Sequence, residues 1–132
     1  RIDLIDKHTT IHHSRDVVLH LKNKLQHEQR EVFMLLLLNQ ANKIIHEAVL
    51  SEGGITGTVA DPRIVFKLVI SHGATGFIIC HNHPSGNLRP SSEDIRITEK
   101  IKQGGKLLEI EVHDHLIISG NGYSSMADEA YI

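Results

Sequence analysis

The chain has 132 residues, 40 per cent of them hydrophobic and 23 per cent charged, with a formal charge of −2. That balance fits one globular domain over residues 1–132, burying roughly two thirds of its unfolded surface, and argues against a strongly electrostatic nucleic-acid binder, which shows a basic excess. No long apolar span or signal segment points to a membrane. The single cysteine, Cys80, can form no internal disulfide, which fits a reducing compartment and predicts a cytoplasmic protein. The start at Arg1 rather than methionine predicts a C-terminal fragment of something longer.

In chain order, residues 1–13 are polar and His-rich and read as a strand or extended arm, with His8, His12 and His13 solvated. Ser14 is placed to cap a helix that runs to about His27, with Asp16 in its first turn. Val17, Val18, Leu21 and Leu25 form its inner face, and Lys22 and Lys24 its outer face. Glu31 opens the most apolar run of the chain, Val32 to Leu38, whose flanks favour a strand covered on both faces. Asn39 to Asn42 reads as a turn into a second strand, Lys43 to Leu50, ending by Gly53-Gly54.

Asp61-Pro62 starts a second helix, with Ile64, Val65, Leu68 and Val69 as its buried stripe and Gly73 past its end. Gly76 to Cys80 is a short buried strand. A third helix starts at Ser91 and is expected to stop at Gly104-Gly105. Leu107–Val112 and His115–Ser119 read as two further strands, Gly120-Asn121-Gly122 as a turn, and the tail after Ser124 as a short helix. This order predicts an α/β domain, a mixed sheet with helices packed on it.

The chemistry concentrates in residues 81–94, His-Asn-His-Pro-Ser-Gly-Asn-Leu-Arg-Pro-Ser-Ser-Glu-Asp. Strand alternation puts Phe77, Ile79, His81 and His83 on one side and Cys80 on the other, as a buried structural thiol. Pro84, Gly86 and Pro90 force a loop. Asp94, at the third helical position, falls on the same stripe as Ile97, Thr98 and Ile101, where an apolar side chain is expected. A capping box with Ser91 would explain that carboxylate structurally. Together with two imidazoles at a strand end, it also makes a three-ligand zinc set that leaves a fourth position for water.

The spacing His-x-His-x7-Ser-x2-Asp through His81, His83, Ser91 and Asp94 resembles the JAB/MPN (JAMM) zinc metallopeptidases. The string His-Asn-His-Pro-Ser-Gly, with Pro90-Ser91, Asp94 and the downstream Asp114-His115-Leu116-Ile117-Ile118, resembles their RadC-like branch. The resemblance implies a cytidine-deaminase-like three-layer α-β-α fold, with Zn2+ as cofactor on His81, His83 and Asp94. It also implies a glutamate base at the start of an upstream strand. Glu31 matches that position, with Glu28 as the nearest competitor, and a partly desolvated carboxylate there would suit proton shuttling. Ser91 would assist the oxyanion, and Ser85 could contact substrate.

His113-Asp114-His115 repeats the His-x-His form, but no helical carboxylate follows at a matching distance. Asp114 and His115 are left as candidates for supporting the ligands or meeting substrate. The leading expectation is therefore a zinc hydrolase acting on an amide or isopeptide bond in a protein or peptide substrate. The alternative carried by the RadC resemblance is a DNA-repair-associated nucleic-acid-binding or nuclease module, which the charge balance does not favour. A zinc nucleoside deaminase lacks its His-x-Glu and Pro-Cys-x-x-Cys patterns. An inactive scaffold would have lost ligands that are present here.

Overall fold

The computed structural model describes residues 10–25, 28–52 and 61–132. His8, His27 and Gly53-Gly54 lie outside the described residues. Among the described residues three helices, α1 (Ser14–Leu25), α2 (Pro62–Ser71) and α3 (Ser92–Leu108), flank one sheet. Its strands are β1 (Val32–Leu38), β2 (Ile44–Glu52), β3 (Gly76–Asn82), β4 (Glu111–Ser119) and β5 (Gly122–Ser125), in the spatial order β2-β1-β3-β4-β5. Only β3 and β4 run parallel, as expected of strands joined through a helix, here α3.

β1 explains the layering. All seven of its residues are buried, and alternate side chains enter different cores. Met34, Leu36 and Leu38 pack with Val17, Leu21 and Leu25 of α1, Ile78 and Cys80 of β3, and Leu116 and Ile118 of β4. Phe33, Leu35 and Leu37 pack instead with Val65 and Val69 of α2, Ile101 of α3, and Phe77 and Ile79 of β3. The result is a helix–sheet–helix sandwich with α1 on one face and α2 and α3 on the other. Thr10 adds a single antiparallel bridge to Lys43, so the end of the expected arm is extended.

Several expectations are corrected by packing. Ser14 does not close α1: the Asp16 carboxylate accepts from the His12 and His13 amides at 2.9 and 3.0 Å, while the Ser14 hydroxyl reaches Asp128. The buried stripe of α2 is Val65, Phe66 and Val69, with Ile64 exposed, because the helix turns Phe66 onto Phe77 and α3. The residues after Ser125 form turns rather than a helix.

The largest correction concerns Gly104-Gly105. α3 continues through them to Leu108 and ends on Glu109 in the left-handed conformation, with φ 57°. The glycines serve close packing. A Cβ on Gly104 would lie 2.9 Å from the Phe66 ring, and one on Gly105 would lie 2.5 Å from the Ile110 carbonyl. The two strands expected at 107–112 and 115–119 are accordingly one strand, β4, entered by a tight return from the helix end. The β3–β4 ladder skips His113, pairing Phe77 with Val112 and Ile78 with Asp114. Beyond this bulge the sides are exchanged: Val112 faces the α2/α3 core, whereas Leu116 and Ile118 face α1.

Gly105→Ala tests the packing role. Helix propensity alone would favour alanine by about 1 kcal/mol. The clash with the Ile110 backbone reverses the sign, and we expect a net loss of about 1–3 kcal/mol, read from the midpoint of urea unfolding.

Candidate metal centre

The site forms where β3 runs out. His81 is the penultimate residue of β3 and pairs with Phe33 at the start of β1, so the strand end faces the entry to the neighbouring strand. His83 follows just outside the strand, two residues on and therefore on the same side. The two Nε2 atoms are 2.9 Å apart. α3 then starts beside them. Its first turn carries a full capping box: the Asp94 amide donates to Ser91 Oγ at 2.9 Å and the Ser91 amide donates to Asp94 Oδ2 at 2.8 Å. The capping carboxylate also faces the imidazoles, with Oδ2 at 3.2 Å from His83 Nε2 and Oδ1 at 3.6 Å from His81 Nε2. Capping and site formation are thus done by one side chain.

Glu31 comes from the residue before β1. It is half-buried, and Glu31, His81 and His83 each offer a ligand atom within 4.8 Å of the other two. The competitor Glu28 is turned elsewhere, its carboxylate lying 3.3 Å from the Arg30 amide and 3.6 Å from the Arg30 guanidinium.

Electrostatics at the site follow from these contacts. The Asp94 carboxylate raises the His83 pKa, with partial burial opposing. Burial would push the Asp94 carboxyl up, but contacts with His81, His83 and the Ser91 amide outweigh it and hold it well below the usual range. The N-terminus of α3 favours the same ionised form.

The donor set can be tested for a metal through the partners of each ring. His83 Nδ1 lies 2.8 Å from the Asn87 carbonyl, which can only accept, so Nδ1 carries a proton and the neutral ring presents its lone pair on Nε2. His81 Nδ1 is engaged by His115 at 2.7 Å, leaving Nε2 as its inward atom. Two imidazole nitrogens and a carboxylate that converge on one point at these distances share either a proton or a cation. A divalent cation fits that point, and nitrogen and oxygen donors of this kind suit zinc.

The sequence matches the family described as the RadC-like JAB domain across residues 11–131. The chain belongs to that family. Relatives carrying the name UPF0758 protein include one from Flavobacterium johnsoniae, 53% identical over 106 residues, covering 80% of this chain and 45% of the relative. One from Salinibacter ruber is 48% identical over 103 residues, covering 78% and 44%. Another, from Methanosarcina mazei, is 40% identical over 118 residues, covering 89% and 52%. The chain spans about half the length of these curated relatives.

Other side chains singled out in this RadC-like JAB domain take different positions. Ser91 is exposed at the rim; its oxygen accepts from Asp94, which leaves its proton free to donate outward. Ser85 is exposed in the loop and accepts from the Asn87 amide at 3.3 Å. Asp114 is buried away from the imidazoles, accepting from the Ser125 hydroxyl and from the His115 and Ala127 amides, so it ties β5 and the tail to β4. Burial raises its pKa, and those donors oppose the rise. His115 does reach the site. Cys80 is fully buried on the α1 side, and burial pushes its thiol up, so it is an inert core residue.

Three residues escaped the sequence reading. Phe33 stacks on His81 with ring centroids 5.6 Å apart and meets His115 edge-on at 5.7 Å. Thr98, seen only as part of a helical stripe, contacts His115 Nδ1 at 2.6 Å. Asn82, between the two histidines, points to the opposite side of the strand. Its Oδ1 accepts from the Val32 amide at 2.6 Å, and its Nδ2 donates to the Glu28 and Arg30 carbonyls at 3.1 and 2.8 Å. Asn82 therefore grips the backbone on both sides of Glu31. An Asn between paired histidines was the available signal.

Asn82→Asp keeps the shape but turns a carboxylate onto two carbonyl oxygens. We expect a loss of about 2–4 kcal/mol by urea unfolding, larger than an exposed Asn→Asp change, which falls within about 0.5 kcal/mol.

Proposed function

We propose that this domain is a zinc-dependent hydrolase acting on an amide or isopeptide bond of a protein or peptide. The observation that carries the reading is the convergence of the His81 and His83 Nε2 atoms, 2.9 Å apart, with Asp94 in contact with both and the Glu31 carboxylate within reach. His81, His83 and Asp94 would hold the ion. Bound there, zinc would supply a Lewis acid and bring the pKa of water down towards roughly 7.

The chain's own groups carry the rest. Asp94 suits the ligand role because the Ser91 amide fixes its carboxylate and the helix terminus keeps it ionised. Glu31 suits the base role: it sits on a backbone segment pinned by Asn82, takes a proton from the attacking water and returns it to the departing amine. The outward proton of Ser91 is available to the oxyanion that forms as the carbonyl is attacked. The single buried thiol fits a reducing, cytoplasmic setting, and no helix among the described residues is long and apolar enough to cross a membrane. The formal charge of −2 supplies no basic excess, so binding to DNA is not part of this reading.

Elemental analysis of purified protein should find zinc at a single site per chain, lost in His81→Ala and Asp94→Ala and kept in Glu31→Gln. Peptides trapped from cell extract on Glu31→Gln should be cleaved by wild type, with the variant slower by about 10²–10⁴-fold. Wild-type protein without zinc, or Glu31→Gln as fast as wild type, would overturn the reading. Ser91→Ala should lower turnover by about tenfold or more and also cost about 1 kcal/mol of stability through the lost cap.

A further inference from the structure

Behind His81, on the side away from His83 and Asp94, lies a buried pair that binding and hydrolysis do not by themselves require. Thr98 and His115 are completely enclosed. The Thr98 hydroxyl is 2.6 Å from the Asp94 backbone carbonyl and 2.6 Å from His115 Nδ1. His115 Nε2 is 2.7 Å from His81 Nδ1.

The polarity of this chain follows from its end. A carbonyl oxygen only accepts, so Thr98 spends its single proton on the Asp94 carbonyl. Its oxygen must then accept, and His115 Nδ1 is the donor. His115 is fully enclosed with no carboxylate bonded to its ring, so the ring holds the one proton that Nδ1 spends on Thr98, and its Nε2 accepts from His81 Nδ1–H. His81 is left with its own lone pair on Nε2, the atom that faces His83 and Asp94.

A hydroxyl that only back-bonded within its helix would need no imidazole on its other side. Here the helix carbonyl of Asp94 anchors one end of the chain, and the carboxylate of the same residue faces the other. Phe33 packs against both rings, stacked on His81 and edge-on to His115.

We propose that Thr98 and His115 form a positioning relay that holds His81 in its Nδ1–H tautomer, with the Nε2 lone pair aimed into the site. The consequence for zinc affinity rests on the metal reading above; the tautomer does not. Imidazole ligands whose far nitrogen is fixed in this way lose about 10–100-fold in metal affinity when the fixing partner is removed.

The test uses metal-free protein at alkaline pH, with long-range proton–nitrogen correlation spectra to assign each imidazole tautomer. Wild type should show His81 as Nδ1–H. Thr98→Val, which keeps the shape and removes both contacts, should give a mixed His81 tautomer and a zinc Kd weaker by about 10–100-fold in chelator competition. Thr98→Ser should restore both. Nε2–H at His81 in wild type would overturn the relay, and that measurement needs no variant to fold. So would a folded Thr98→Val with unchanged tautomer and affinity. Wild type that keeps the assigned tautomer but binds no zinc would support the relay and overturn the metal reading.

Discussion

Two imidazole nitrogens held 2.9 Å apart beside a carboxylate are an arrangement that an isolated peptide would not keep. The convergence is sustained because each member is committed elsewhere through rigid structure. His81 is stacked on Phe33 and engaged by His115, His83 is tied to the Asn87 carbonyl, and Asp94 is locked into the first turn of α3. Preorganisation of this sort suits a metal site, since an ion then meets donors that are already in place.

The fold exists to bring three distant segments to that point. β3 carries His81 to the edge of the core and ends at Asn82, just before His83. Asn82 reaches across to hold the entry to β1 and with it the position of Glu31. The loop with two prolines returns the chain so that α3 starts against the strand end. Behind these elements β1 buries leucines on both faces, so the two helical layers and the site share one stiff central strand.

The capping box shows how stability and chemistry can be carried by one residue. Asp94 satisfies an otherwise orphaned amide at the helix start, and the same Oδ2 faces His83. Its position on the inner stripe of α3 is odd for a core residue and sensible for a ligand. Ser91 serves the cap through its oxygen while its proton remains available, so the cap does not compete with the use proposed for that hydroxyl.

Local pattern alone was enough for the buried strand at 32–38, the Asp61-Pro62 helix start, the shared side of His81 and His83, and the inward carboxylate at 94, because each depends on a short-range period or cap. Family resemblance supplied the link to Glu31, since no local rule relates residues fifty positions apart. Three features belonged to tertiary structure. Gly104-Gly105 looked like a helix stop, but the helix runs on, and the glycines are explained by the close approach of Phe66 and the Ile110 carbonyl. The skip at His113 exchanges the two sides of β4, which turns His115 towards His81 and Asp114 away, an outcome that unbroken alternation from Val112 would reverse. Asn82 and Thr98 became meaningful only when the backbone of residues 28–32 and the ring of His115 stood next to them, because a hydrogen-bond partner brought from far along the chain leaves no periodic trace in sequence.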